Sequence, residues 1–133
     1  MRCIGETYLS YLQNNSTSDD LTFIAVVRKP MYGIQKVTDE HMPELSPPEE
    51  LLNDFWEEKE ENTHNEAWDK VNFEKRYRKH IMENIEHVEN IVDRLEQEDI
   101  ILVCFEKKPK NCHRHILKEF IIENYDGIGT KEV

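Results

Sequence analysis

Two stretches of this chain are apolar without interruption, residues 23–27 (Phe-Ile-Ala-Val-Val) and residues 100–105 (Ile-Ile-Leu-Val-Cys-Phe). A strand with one wet face alternates apolar and polar residues, so a strand that is apolar at every position must be covered on both faces. A parallel sheet layered between helices supplies that cover, and parallel neighbours need a long crossover between them. More than seventy residues separate the two runs, ample for such a crossover. Each run stops at a basic stretch closed by proline, Arg28-Lys29-Pro30 and Lys107-Lys108-Pro109. The pair therefore predicts an α/β fold, a single compact domain with a small, mainly parallel sheet flanked by helices. A weaker first strand is expected within residues 7–12, followed by a loop over 13–20.

Between the two runs the apolar period becomes helical. Ser46-Pro47-Pro48-Glu49 has the composition of a helix start, with Ser as N-cap, Pro at the first position and Glu placed to close a capping box. Leu51, Leu52, Phe55 and Trp56 follow as an apolar stripe. Phe73, Tyr77, Ile81, Ile85, Val88, Val92 and Leu95 then recur in steps of three and four, a long amphipathic helix expected to break near residues 79–83. A last helix should open at Asn111 or Cys112, bury Ile116, Leu117, Phe120 and Ile121, and stop at Gly127. All 133 residues are assigned to one domain, with its core across 20–122 and a loose tail after 126.

Composition removes several classes of function. A net charge of −11 excludes general coating of nucleic acid or anionic membrane. No apolar run approaches the roughly 20 residues that cross a bilayer, and no leader-like apolar segment follows Met1. Leu, Ile, Val and Phe supply about a quarter of the chain, enough for a core. Three cysteines, Cys3, Cys104 and Cys112, make no disulfide framework. A soluble cytoplasmic domain is the expectation.

Chemistry concentrates in residues 104–115, CFEKKPKNCHRH, which hold four Lys/Arg and two His against one carboxylate. Cys112, His113 and Arg114 fall at the start of the expected last helix. Unpaired N–H groups and the positive dipole end make such a turn an anion site and lower the pKa of a thiol there. Arg114 adds a planar fork suited to phosphate or carboxylate. If the strands are parallel, Arg28 emerges on the same edge, since ligands of open parallel sheets sit beyond the strands' carboxyl ends. The layering is Rossmann-like, yet with four glycines the chain has no Gly-rich phosphate loop.

The run from residue 100 to 121, with Cys-x-Glu at a strand end and Cys-His-Arg opening a helix, resembles the closing signature of the family of domain of unknown function 488 (DUF488). Arg28-Lys29-Pro30 resembles the family's Arg-x-Pro element after an earlier strand. Residues 37–48 (VTDEHMPELSPP) and His64-Asn65-Glu66-Ala67-Trp68 with Phe73, Arg76 and Tyr77 resemble segments of its archaeal-type members. Many members have Asp-Val-Arg where this chain has Val26-Val27-Arg28. The resemblance selects Arg28, Cys104, Glu106, Cys112, His113 and Arg114, with His64 as a further lining residue, and leaves the reaction open.

Cys112 and His113 are the expected catalytic or sensing pair, and Arg28 and Arg114 an anion clamp that Glu106 orients. Cys104 is either a ligand contact or a small core residue, and His113 either an acid–base group or a cap. No metal and no cofactor are expected. A zinc site from Cys104, Cys112, His113 and His115 is disfavoured because His113 and His115, two apart on a helix, do not share a face. The basic residues 75–80 are expected as a solvated helix face. The expected ligand is a phosphorylated small molecule or nucleotide, and weak hydrolase or transferase activity is the chemistry the Cys112–His113 pair suggests. The alternative is an acidic, non-enzymatic interaction protein that engages a basic protein partner.

Overall fold

The computed structural model describes residues 2–17, 19–105 and 112–132. Along the chain it forms β1 (Cys3–Tyr8), α1 (Leu9–Asn14), β2 (Leu21–Ala25), β3 (Glu40–His41), α2 (Glu49–Lys59), α3 (His64–Lys70), α4 (Phe73–Glu83), α5 (Ile85–Arg94), β4 (Asp99–Cys104), α6 (His113–Asn124) and β5 (Gly129–Lys131). Among the described residues the strands make one sheet of order β3-β2-β4-β1-β5, and every pairing is parallel. The two apolar runs are thus adjacent strands, with Ile24 opposite Leu102 and Ala25 opposite Val103.

Both faces of β4 are covered, as its unbroken apolar run requires. Ile100 and Leu102 face one cluster with Ile4, Ile24 and Val26, closed by residues of α2 to α6. Ile101 and Val103 face the other with Phe23, Ala25 and Val27, closed by Leu9 and Leu12 of α1 and by Ile34. The sheet's carboxyl ends, with the turn after β2, Phe105 and the start of α6, gather on one edge. No helix among the described residues is long and apolar enough to cross a membrane.

Several local expectations change. The strand expected within residues 7–12 is the junction of β1, which already begins at Cys3, and α1. Tyr8 ends the strand with extended backbone and Leu9 and Leu12 turn inward on a helical step. Beyond residue 126 the chain is no loose tail, because Gly129–Lys131 pairs with β1. Gly5 permits that pairing: a Cβ there would lie 2.6 Å from the Lys131 carbonyl oxygen and 2.8 Å from Ile101 Cδ1. Ser46 does not cap α2; its hydroxyl donates to Pro43 O at 2.7 Å, and Pro48 holds the N-cap position. A capping box does occur at α3, where Thr63 and Glu66 satisfy each other's backbone N–H. The long helix breaks at Asn84, just beyond the expected interval, where φ −121° and ψ 34° leave the helical region.

Leu102 is fully buried at the centre of the sheet. Leu102→Ala should cost about 2–5 kcal/mol in urea denaturation, the range for deleting a well-enclosed leucine. A cost below 1 kcal/mol would contradict this packing.

Candidate functional site

β4 delivers Cys104 to the carboxyl edge of the sheet, and α6 begins against it with Cys112 as its extended N-cap residue. The two cysteines meet sulfur to sulfur as a disulfide pair, with Cα atoms 7.8 Å apart. His113 opens α6, and its Nε2 lies 2.5 Å from the carbonyl oxygen of Val26, just past β2. A carbonyl only accepts, so Nε2 carries the hydrogen. Nδ1 then faces the cysteines, 3.7 Å from Cys112 Sγ. Tyr77 packs its ring edge-on against the imidazole, and its hydroxyl donates to Leu45 O. Burial pushes the His113 pKa from 6.5 to about 4, against the Val26 hydrogen bond, and the nearby Arg114 charge adds to the depression. His113 is therefore neutral near pH 7.

Arg114 is 1% exposed. Its Nη1 donates to Cys104 Sγ at 2.6 Å, its Nε stands 3.4 Å from Glu6 Oε1, and its guanidinium lies 6.0 Å from the Tyr8 ring centre. Glu6 in turn meets His115 Nδ1 at 2.8 Å and Lys118 Nζ at 3.1 Å. Burial alone would raise the Glu6 pKa, but the His115 hydrogen bond and the Lys118 charge leave it below the usual carboxylate value.

Cys104, Cys112 and His113 line a cavity of about 110 Å³ whose other walls include Phe55, Trp56, His64, Trp68 and Phe73. Trp68 stacks on Phe73 with ring centres 3.9 Å apart, and His64 lies nearly parallel to Trp68 at 6.0 Å. Phe55 stands edge-on to His64, Trp68 and Phe73, which holds the wall upright. A second hollow of about 230 Å³ shares Leu52, Trp56, Phe105 and His113 with the first and reaches Arg28 and Lys29 at its rim. A larger hollow of about 480 Å³ along α3 and α4 contains none of the expected site residues.

The sequence-predicted residues thus separate into two groups. Cys104, Cys112, His113 and His64 share the inner cavity, and Arg28 stands at the outer rim, ion-paired with Glu49 at 2.9 Å. Arg114 is not part of either wall; it lies buried against Cys104 and Glu6. Cys112 is only 4% exposed, because the N-cap position turns it toward β4. Glu106 lies outside the described residues. The basic face of α4 is occupied by ion pairs, Arg76 with Asp54 and Arg78 with Glu74 and Glu123.

Two participants were missed in the sequence. Glu6 holds Arg114, a task expected of Glu106; its signal was a carboxylate inside the strand CIGETY. Trp56, read only as part of the apolar stripe of α2, is half exposed on the cleft wall.

These features define an α/β domain with a Cys-His-Arg cluster at the carboxyl edge of a parallel sheet. The chain matches the family model described as the active DUF488-N3 subclade (DUF488-N3a) over residues 7–125, and it belongs to the DUF488 family. No curated protein and no solved structure gives a significant match.

A half-buried histidine held neutral makes stability depend on pH. Unfolded, His113 protonates near its ordinary value of 6.5, and folded only near 4. Between those values the unfolded state binds more protons, so stability falls as pH falls, by up to about 1.4 kcal/mol per pH unit. Above 6.5 and below 4 the group contributes no slope. Urea denaturation of wild type and His113→Gln at several pH values should show the steeper loss in wild type, and equal slopes would contradict a ring held neutral by the fold.

Proposed function

We propose that the strand-end cleft binds a nucleotide or a related phosphorylated small molecule in the cytoplasm, with His113 and, once its bond to Cys104 is reduced, Cys112 as the reactive pair beside it. The observation that carries this reading is the junction of the two hollows. One is walled by aromatic rings and the other ends at Arg28 and Lys29, and His113, Trp56 and Phe105 belong to both. A planar ring fits the aromatic wall, where stacking is the natural contact, and an anion fits the basic rim. The first turn of α6 carries no acidic residue to oppose an anion. In this arrangement Arg114 steadies the cysteine side of the site and Arg28 meets the anion. The matched subclade's description as active is in keeping with a site that performs chemistry.

The protein carries its own reporter, because its two tryptophans, Trp56 and Trp68, both line the inner cavity. Titration with nucleoside mono-, di- and triphosphates and with the parent nucleosides should quench tryptophan fluorescence, and the phosphorylated forms should bind more tightly. Trp56→Ala should weaken binding by about 1–3 kcal/mol, the value of a base–aromatic stack. Arg28→Ala should weaken it by about 1 kcal/mol, since the side chain is partly exposed. No saturable quenching by any member of the panel, with no rise in Tm, would overturn this reading.

A further inference from the structure

We propose that Cys104, Cys112 and His113, with both thiols reduced, form a zinc-type cation site whose fourth position opens into the aromatic cavity. This goes beyond nucleotide binding and does not depend on it. The sulfurs of Cys104 and Cys112 and a ring nitrogen of His113 all lie within 4.8 Å of one another. Sulfur and imidazole together suit zinc, whereas magnesium and calcium seek oxygen.

The histidine is oriented as a ligand. Its Nε2–H donates to the Val26 carbonyl, which fixes the ring and leaves the lone pair of the neutral imidazole on Nδ1, toward the cysteines. A backbone carbonyl on the far nitrogen is the usual support of a metal-bound histidine. Tetrahedral ligands with a sulfur at ~2.3 Å and a nitrogen at ~2.0 Å from one ion stand roughly 3.5 Å apart. Cys112 Sγ and His113 Nδ1 are 3.7 Å apart.

The cysteine backbones are also spaced for a shared ion. Their Cα atoms are 7.8 Å apart, beyond the roughly 4.4–6.8 Å usual across a disulfide. Two thiolates reaching a common ion span the larger distance. Arg114 donates to Cys104 Sγ, which favours the thiolate form that a metal ligand must adopt. Two thiolates and a divalent cation sum to zero, and Glu6 faces the Arg114 charge.

His115 has no part in the set. Its two nitrogens face Glu6 and Glu119, at 2.8 and 3.0 Å. Three protein ligands and one open position is the pattern of catalytic rather than structural zinc. Cys104, Cys112 and His113 all line the inner cavity, so the open position is available to water or to a molecule held there. Binding exchanges up to two thiol protons for the cation, and those protons pass to solvent.

The test is a titration of reduced, chelator-treated full-length protein with zinc alone, followed by calorimetry and by proton release. One equivalent should bind and release protons. Cobalt should give the sulfur-to-metal charge-transfer absorption and intense visible bands of a tetrahedral thiolate site. Cys112→Ser should weaken zinc binding by more than the roughly 10–100-fold that follows loss of a supporting outer partner, while His115→Ala should leave binding unchanged. The wild-type titration decides the matter even if the cysteine variant fails to fold. Absence of stoichiometric zinc binding, cobalt spectra without thiolate charge transfer, or wild-type affinity in folded Cys112→Ser would each overturn the site. Failure of nucleotide binding would leave these results untouched.

Discussion

The buried guanidinium of Arg114 is the contact around which the carboxyl edge of this domain is organised. A charge taken out of water is tolerated only where partners answer it. Here the partners come from two neighbouring strands: Glu6 and the ring of Tyr8 from β1, and the sulfur of Cys104 from β4. Arg114 is the second residue of α6, so these contacts set where that helix begins and how it is rotated. His113 and Cys112, its immediate neighbours, inherit their positions from it. Loss of Arg114 would leave Glu6 to His115 and Lys118 alone and Cys104 without its donor.

The sheet order explains why this edge has room for a site. β4 is inserted between β1 and β2, so the chain leaves β3 on one side and returns to the middle through α2 to α5. Those four helices cover one face, and the first two of them also raise the aromatic wall. Phe55 and Trp56 come from α2, and His64 and Trp68 from α3, joined through Phe73 of α4. The capping box at Thr63 starts α3 immediately before His64, which places that ring beside Trp68. The crossover required by parallel pairing has thus become one wall of the cleft.

Much of the fold was legible because it follows from burial on two faces. The unbroken run at residues 100–105 implied a central parallel strand, and the three- and four-step pattern from Phe73 to Leu95 implied α4 and α5, including a break between them. β1 was harder, because CIGETY contains a carboxylate and a glycine whose purposes are tertiary. Gly5 yields space to Lys131 and Ile101, and Glu6 answers an arginine more than a hundred residues away. Neither partner is visible from local pattern. β5 was missed for a similar reason: its three residues are exposed, pair with β1 through backbone and carry no apolar signal. In the site, residue types marked Cys104, Cys112, His113 and Arg114 together, yet sequence could not distinguish an arginine facing the cleft from one beneath it. That distinction rests on Glu6, which supplies a buried counter-charge.

Electrostatics connects the two proposals. A chain of net charge −11 repels phosphate at long range, so an anionic ligand must be held by local charge. Arg28 is partly neutralised by Glu49, and Arg114 is committed to Glu6 and Cys104. What the cleft retains is Lys29 at the rim, the partial positive charge at the start of α6, and whatever the cysteine–histidine cluster holds. A divalent cation between Cys104 and Cys112 would be balanced by their two thiolates, so it would add little field at a distance. At its open position it would act at contact range as a Lewis acid. Selection of a phosphorylated ligand would then depend on short-range geometry, with stacking on Trp56 and Trp68 at one end and Arg28 at the other. Such a site tolerates an acidic surface around it, because each of its attractions operates within a few ångströms.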